Sequence, residues 1–290
     1  MRSSKLFGKT LRQAPSGIEN ISHKLLVRAG FIQQIASGIF SVMPLGNKSL
    51  SKIKNIIREE MDGAGAQEVN MPVVQPIDIW EESGRAENFS PPLASFKDRR
   101  DRKMILAPTH EEAVTIMARS GVTSYRDLPF ILYQIQTKFR DEPRPRGGLL
   151  RVREFEMKDA YSFDVDQDGL DKSFDAMVEA YKIIFDRCGI EVVMVEADSG
   201  GIGGKDSNEF VLLTDSGEDV ILISENGNYA ANVEKAVFDK TVNPYEELSA
   251  IEEFRTPGIK SIKELALSEN VPESKISKSV LYTIEDEVII

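Results

Sequence analysis

The segment at residues 131–142, ILYQIQTKFRDE, constrains the fold most because its side chains alternate in character along the chain. Most odd positions are apolar and most even positions are polar: Ile131, Tyr133, Ile135 and Phe139 alternate with Gln134, Gln136, Lys138, Arg140 and Glu142. Successive side chains of a β-strand point to opposite faces of the sheet. The pattern therefore predicts a strand with one face packed on a core and the other face polar.

A second strand is predicted at residues 149–157, LLRVREFEM, after the turn-forming loop PRPRGG. The side chains that share one face of it are Arg151, Arg153, Phe155 and Met157. If the two strands pair antiparallel, their common polar face carries Arg140, Glu142, Arg151 and Phe155.

This polar face has the chemistry of a nucleotide site. A guanidinium binds phosphate oxygens through paired hydrogen bonds, a phenyl ring stacks on a purine, and a carboxylate accepts from an exocyclic amine. A surface hairpin whose charges pair with one another fits the same residues, so the pattern leaves both interpretations open.

The rest of the first 235 residues predicts helices among further strands. Helices are predicted at 47–62, from Thr109 onward and at 168–188, and strands at 66–74 and 190–197. This order favours an α+β domain on a largely antiparallel sheet, flanked by helices.

Beyond about residue 235 the sequence becomes turn-rich and acidic, which is typical of a linker into another domain. That domain is predicted to begin with a helix at 261–269 and a strand at 277–284. We therefore divide the chain into a first domain at 1–235 and the start of a second, incomplete domain at 236–290.

The charge of the chain is unevenly distributed. Its 290 residues carry 36 Lys and Arg against 47 Asp and Glu, a net charge of −11, which argues against a nucleic-acid partner. Residues 138–153, however, hold six basic and two acidic side chains, a local balance of +4. Because polyanion binding depends on the local field as well as on total charge, such a partner stays possible at this segment.

Composition also bears on metals and on cellular location. One cysteine, Cys188, excludes an internal disulfide and a cysteine-based zinc cage, and two histidines, His23 and His110, make a histidine-rich metal site unexpected. The apolar runs are far shorter than the roughly 20 residues of a membrane-spanning helix, and the start lacks the apolar core of a signal peptide. We predict a cytoplasmic protein with no structural metal and no membrane association.

The segment PTHEEA at 108–113 has two compatible interpretations. Thr109 and Glu112 have the spacing of a capping box that opens a helix. Thr109 and Glu111 also offer a hydroxyl and a carboxylate to a small ammonium group at the helix entry.

Several of these segments resemble class II aminoacyl-tRNA synthetases. The string FRDEPRPRGGLLRVREFEMKDAYSF at 139–163 resembles motif 2 of that class, and IREEMDGAGAQEVNMP at 57–72 resembles motif 1, which builds the dimer interface in the family. PTHEEA and ADSGGIGGKDSNEF (197–210) resemble the bacterial-type prolyl-tRNA synthetases in particular. The segment from about residue 240 resembles the start of their inserted editing domain.

The resemblance implies a class II core fold, an antiparallel sheet flanked by helices, followed by the beginning of an inserted α/β editing domain. It implies ATP-dependent activation of proline to prolyl-adenylate and transfer to tRNA(Pro), with Mg²⁺ accompanying ATP and a homodimer formed through motif 1. The implied catalytic residues are Arg140, Glu142 and Arg151.

The resemblance also implies a role for each matched position. Arg140 would hold the α-phosphate, Glu142 the adenine amine and Arg151 the ATP phosphates, with Phe155 stacked on the adenine ring. The implied proline ligands are Thr109, Glu111 and Arg140. In the loop, Arg144 and Arg146 would approach the tRNA acceptor end, and Lys278 corresponds to an editing-domain lysine.

Two family features are missing from the sequence. Motif 3, a G-x-G-x-x-R sequence with a further ATP-binding arginine, occurs nowhere, and GIGGKD at 201–206 ends in Asp206. The anticodon-binding domain is also absent, so we expect this chain to be the N-terminal portion of a longer protein. Two other interpretations stay open. The protein could be an inactive class II paralogue that acts as a tRNA-binding or regulatory partner, or a class II-like ligase with a non-tRNA acceptor.

Overall fold

The computed structural model describes residues 3–198, 207–215, 217, 219–237, 253, 255–277, 279, 282–284 and 287–289. The chain divides into two units, Met1–Val237 and Phe238–Ile290. In the described ranges, no helix is both long enough and apolar enough to cross a membrane.

The first unit contains five described α-helices and twelve described strands. The helices are α1 (Ile21–Arg28), α2 (Pro44–Gly63), α3 (Asp78–Glu82), α4 (Glu111–Gly121) and α5 (Gln167–Arg187). The strands are β1 (Ile32–Ala36), β2 (Ile39–Val42), β3 (Gln67–Glu68), β4 (Val74–Pro76), β5 (Ser95–Lys97), β6 (Lys103–Leu106), β7 (Phe130–Phe139), β8 (Glu154–Phe163), β9 (Val193–Glu196), β10 (Asn208–Val211), β11 (Ile221–Ile223) and β12 (Ala230–Asn232).

The second unit contains one described α-helix, α6 (Ile262–Glu269), and two described strands, β13 (Tyr282–Ile284) and β14 (Glu287–Ile289), which pair antiparallel. Helix α6 begins as its sequence predicts, because Ser261 and Glu264 form a reciprocal capping box. Of the predicted strand at 277–284, Tyr282–Ile284 forms a strand and Ser277 and Ser279 do not, while residues 278, 280 and 281 lie outside the described residues.

The centre of the first unit is the antiparallel hairpin of β7 and β8. All ten residues of each strand pair, from Phe130 with Phe163 to Phe139 with Glu154. Strand β3 adds to the other edge of β7 in parallel, giving the order β3-β7-β8. The predicted pairing is confirmed, and with the surrounding helices and the other, largely antiparallel sheets it confirms the α+β class.

The apolar face of β7 packs on two long helices, as its alternation predicts. Ile131 and Tyr133 are buried against Met61 of α2, and partly buried Ile57 and Met177 complete the layer between sheet and helices. Each such apolar side chain contributes about 1.5–3 kcal/mol when fully buried. This layer fixes β7 relative to α2 and α5.

Both long helices begin and end at sequence signals. Helix α2 starts at Pro44, before the predicted residue 47. Proline is favoured in the first turn, because backbone nitrogens there have no hydrogen-bond partner within the helix and proline has no N–H. Asp166 caps α5 by accepting from the Gly169 N–H at 2.9 Å, and Gly189 with φ +70° follows its end. The predicted helices at 47–62 and 168–188 are confirmed.

The extents predicted for three strands are wrong. The strand predicted at 149–157 begins only at Glu154, because the Arg153 N–H donates to the Gly38 carbonyl at 2.8 Å instead of across the hairpin. The strand at 131–142 ends at Phe139. The strand at 66–74 splits into β3 and β4, since Pro72 has no N–H and the Met71 N–H donates to the Gln134 side chain.

Two smaller layers flank the hairpin. A sheet of order β4-β6-β5 covers a second core in which Trp80, Ile77 and Ile105 are buried. The β1–β2 hairpin contacts the loop between β7 and β8, and a four-stranded sheet of order β10-β9-β12-β11 follows α5. The β4-β6-β5 layer lies beside the start of α4, where the candidate site is built.

Candidate active site

Two side chains of the polar face of β7 are fully buried. Gln134 and Lys138 are both 0% exposed, although the pattern alone does not distinguish a buried polar face from a solvated one. Gln134 Nε2 donates to Asp159 Oδ2 at 2.9 Å, and the Tyr161 hydroxyl donates to the same oxygen at 2.6 Å. The Lys138 ammonium lies 2.7 Å from Asp159 Oδ1. The buried polar side chains of β7 and β8 therefore form hydrogen bonds and an ion pair with one another.

His110 connects this network to the start of helix α4. The Lys138 ammonium lies 2.8 Å from His110 Nδ1, and His110 Nε2 lies 3.1 Å from the Pro72 carbonyl oxygen. Because an ammonium only donates and a carbonyl only accepts, the geometry assigns a neutral ring with its proton on Nε2. Burial lowers the pKa of His110, the Lys138 charge lowers it further, and Asp159 opposes both effects.

Two further pKa shifts mark this region as shielded from water. Burial lowers the pKa of Lys138, while hydrogen bonding to Asp159 acts in the opposite direction. Burial raises the pKa of Tyr161, and its hydrogen bond to Asp159 adds to that rise, whereas a hydrogen bond involving Thr109 opposes it. Tyr161 is thus a neutral hydroxyl that contacts Asp159, Thr109 and, at 3.2 Å, the His110 backbone N–H.

The predicted capping box of Thr109 and Glu112 is wrong. Helix α4 begins at Glu111 with His110 at the N-cap position, and no side chain caps it. Thr109 is 4% exposed and faces Tyr161, while the Glu112 carboxylate accepts from Ser83 Oγ at 3.0 Å and Arg85 Nη1 at 2.9 Å. Glu112 therefore holds α4 against the chain that follows α3.

Arg140, directly after the end of β7, contacts the segment that carries Thr109 and Glu111. Its Nε donates to the carbonyl of Pro108, directly before Thr109, at 3.3 Å, and its guanidinium lies 5.4 Å from the Phe155 ring centroid. Burial lowers the pKa of Arg140, and the Glu111 carboxylate opposes the shift. The structure thus places Arg140 beside Phe155 and beside the segment that carries Thr109 and Glu111, which is distant from it in the sequence.

Glu142 and Arg151 pair with each other across the loop. Arg151 Nε lies 3.0 Å from Glu142 Oε2, and this hydrogen bond is the main reason that the pKa of Glu142 is lowered. The pairing expected of a surface hairpin is therefore present here. Arg151 lies outside β8, in an isolated bridge with Arg146, and Arg153 Nε donates to the Glu142 carbonyl at 3.0 Å.

The remaining predicted residues lie in the loop or outside the described ranges. Arg144 and Arg146 have exposed side chains in the loop between β7 and β8. Lys278 and the glycine-rich stretch at 199–206 are outside the described residues. Among the described residues, no group of three or more His, Cys, Asp or Glu side chains is arranged to hold a metal ion.

Sequence reasoning missed several residues of the site. It placed Lys138 on the polar face but gave it no partner, and it did not identify Asp159, Tyr161 or Arg85. The β7–β8 register aligns Gln134 with Asp159, so the pairing of the strands was the signal for that contact. Arg85 is 26 residues from Glu111 in the chain, and no local pattern indicates their contact.

These features define a class II synthetase core. Residues 95–265 match the family described as the class II tRNA synthetase core domain of the G, H, P, S and T enzymes, and the chain belongs to that family. Within the family, it is 52% identical over 289 residues to a proline--tRNA ligase of Dehalococcoides mccartyi, covering 100% of this chain and 51% of that protein.

Other comparisons agree. A proline--tRNA ligase of Caldicellulosiruptor saccharolyticus is 50% identical over 290 residues, again covering 100% of this chain and 51% of the relative. The chain therefore spans about half the length of these curated relatives. A solved Giardia lamblia prolyl-tRNA synthetase in complex with prolyl-adenylate matches with a TM-score of 0.56 at 21% identity, covering 59% of this chain and 36% of that one, which shows the shared fold.

Proposed function

We propose that the protein containing this chain is a proline--tRNA ligase, and that this chain supplies the site that activates proline with ATP. The observation that carries the proposal is that Arg140, at the end of β7, donates to the Pro108 carbonyl directly before Thr109 and is close enough to Glu111 for the two charges to interact. The relatives at 50–52% identity that bear this name support it.

Proline would bind through its charged ends. Its secondary ammonium suits the Glu111 carboxylate and the Thr109 hydroxyl, and its carboxylate suits the Arg140 guanidinium. Arg140 is held by the Pro108 carbonyl and by Phe155 before any substrate arrives. A guanidinium fixed in advance stabilises the charge that develops on the α-phosphate as the proline carboxylate attacks.

ATP would bind along the β7–β8 hairpin, with Mg²⁺ bound to its phosphates as part of the substrate. Phe155 would stack on adenine by one ring face, since Arg140 covers the other. Glu142 would accept from the adenine amine and Arg151 would approach the phosphates, which requires their 3.0 Å ion pair to open or to be shared with the nucleotide.

The further roles concern tRNA and assembly. The exposed Arg144 and Arg146 are suited to the phosphates of the tRNA(Pro) acceptor end. We assign the catalytic core to residues 1–235 and the start of an inserted editing domain, including Lys278, to residues 236–290. A homodimer through the motif 1 region and a cytoplasmic location complete the proposal.

Proline-dependent ATP–pyrophosphate exchange, followed by charging of tRNA(Pro), tests the proposal in the protein that contains this chain. Exchange that depends on proline, and charging of the tRNA, are expected. Arg140→Ala should lower the exchange rate by about 10²–10³-fold, the effect of losing one transition-state donor. An exchange rate without proline dependence would contradict the assignment, and exchange without tRNA charging would favour a non-tRNA acceptor.

A further inference from the structure

Arg85 contacts both carboxylates at the start of helix α4. Its Nη1 donates to Glu112 Oε1 at 2.9 Å and lies 3.3 Å from Glu111 Oε2. Its guanidinium also lies 5.2 Å from the Trp80 ring centroid and 5.5 Å from that of Phe89. One cation therefore connects the candidate proline ligand Glu111 to the core below the β4-β6-β5 sheet.

The core side of this connection is buried and hydrogen-bonded. Trp80 is fully buried, and its Nε1 donates to Gln75 Oε1 at 2.9 Å. The Arg85 backbone N–H donates to the Trp80 carbonyl at 3.0 Å, and Ser83 shares Glu112 with Arg85. Arg85 thus has a fixed backbone, two aromatic neighbours and a buried carboxylate that hold its guanidinium in one place.

The two carboxylates differ in exposure. The Glu112 side chain is 3% exposed, whereas the Glu111 side chain is 36% exposed. Glu112 is therefore the anchor of Arg85, and Glu111 is the end that faces outward. A carboxylate held by one of its oxygens loses little further side-chain freedom when its other oxygen binds a ligand, and this lowers the cost of binding.

We propose that Arg85 is a positioning residue for the amino-acid substrate. By binding Glu111 Oε2, it orients this carboxylate so that Oε1 is available to the secondary ammonium of proline. Arg85 itself does not touch the substrate. The inference rests on the proposed function, since it takes Glu111 as a ligand of proline.

Arg85→Gln tests this role, with kinetics of pyrophosphate exchange measured for both substrates. The expected result is a proline KM raised about tenfold or more, the effect of losing one hydrogen bond to a charged group, with the ATP KM changed less than about twofold. Arg119→Gln is the matched control, because Arg119 also pairs with a carboxylate, that of Glu82 at 3.0 Å, and both side chains of this pair are exposed. It should leave both KM values unchanged.

A double-mutant cycle separates positioning from a purely structural role. If Arg85 acts through Glu111, adding Arg85→Gln to Glu111→Gln should raise the proline KM little beyond the value of Glu111→Gln alone. Substitutions of Arg85 and Glu112 should instead be non-additive in their effects on the melting temperature. Arg85→Lys keeps the charge but loses the planar fork, and it replaces Arg85→Gln if that variant does not fold.

Four outcomes are decisive. A raised proline KM that is non-additive with Glu111→Gln supports the inference. A lower melting temperature with an unchanged proline KM, or effects of Arg85→Gln and Glu111→Gln that multiply, would overturn it while the proposed function stands. Absence of proline-dependent exchange in the wild-type protein would overturn both.

Discussion

Lys138 has a fully buried side chain, and one of its partners is His110, the residue directly before helix α4. It lies between Asp159 of β8 and the ring of His110, which in turn contacts the Pro72 carbonyl. Buried charges in proteins are paired or neutralised, because an isolated one is costly. These polar contacts attach the segment that carries Thr109 and Glu111 to the sheet. Because the groups are buried, they cannot hydrogen-bond to water instead.

Lys138→Met should destabilise the protein strongly. It leaves the Asp159 carboxylate buried without a counter-charge, a change that typically costs about 3–5 kcal/mol. Chemical unfolding monitored by fluorescence of Trp80 would measure the free energy of unfolding. The double variant Lys138→Met/Asp159→Asn should recover part of the loss, and a loss below about 1 kcal/mol in the single variant would contradict a buried ion pair.

The stability contributed by His110 should depend on pH. Because its pKa in the folded protein is lowered from 6.5, the unfolded chain binds more protons at this position as the pH falls below 6.5. Its contribution to the free energy of unfolding is therefore complete above pH 6.5 and is lost as the pH falls from 6.5 toward the folded-state pKa.

Unfolding of the wild-type protein and of His110→Gln between about pH 8 and about pH 5 measures this dependence. The difference in unfolding free energy between the two proteins should shrink toward the acidic end. A difference that stays constant across the range would mean that the folded His110 has its ordinary pKa.

At the scale of elements, the β1–β2 hairpin holds the loop between β7 and β8. Gly38 in the hairpin turn has φ +73°, and its carbonyl accepts from the Arg153 N–H at 2.8 Å. A Cβ at this glycine would lie 2.8 Å from the Pro145 side chain. The position of the loop that carries Arg144 and Arg146 therefore depends on Gly38, whose backbone can approach Pro145 closely because it has no side chain.

Gly38→Ala should loosen this contact. The left-handed backbone alone costs a non-glycine residue about 1–2 kcal/mol, and displacement of Pro145 adds to that cost. Gly189→Ala is the matched control, because Gly189 has φ +70° but no atom near the position of a Cβ. Thermal unfolding should show a larger loss for Gly38→Ala, and amide exchange at Arg153 should become faster. Equal losses for the two variants would contradict the packing argument.

The elements also show what the sequence could and could not predict. Strand pairing and the two long helices follow from alternation, apolar stripes and caps, which act over a few residues. The misplaced start of β8 and the incorrect capping box both arise from contacts distant in sequence: Gly38 with Arg153, and Arg85 with Glu112. Thr109, Glu111 and Arg140 were candidates from their residue types and from the resemblance. The contact of Arg140 with the segment that carries the other two depends on Pro108, which no local pattern indicates.

At the scale of the whole molecule, the candidate site combines distant parts of the first unit. The β7–β8 hairpin supplies Arg140 and Phe155, the start of α4 supplies Thr109 and Glu111, and Arg85 connects that start to a separate core. The net charge of −11 does not describe this region, since residues 138–153 carry a local balance of +4. A site for an anionic nucleotide is thus compatible with an acidic protein.

The central claim is that the start of α4 binds proline, and the kinetics of Glu111→Gln test it most directly. This change keeps the size of the side chain and removes the charge that faces the substrate ammonium. We predict a proline KM raised about tenfold or more and an ATP KM within about twofold of the wild-type value. Glu82→Gln, which alters an exposed carboxylate paired with α4, should change neither value. An unchanged proline KM in Glu111→Gln, accompanied only by a lower melting temperature, would contradict the claim.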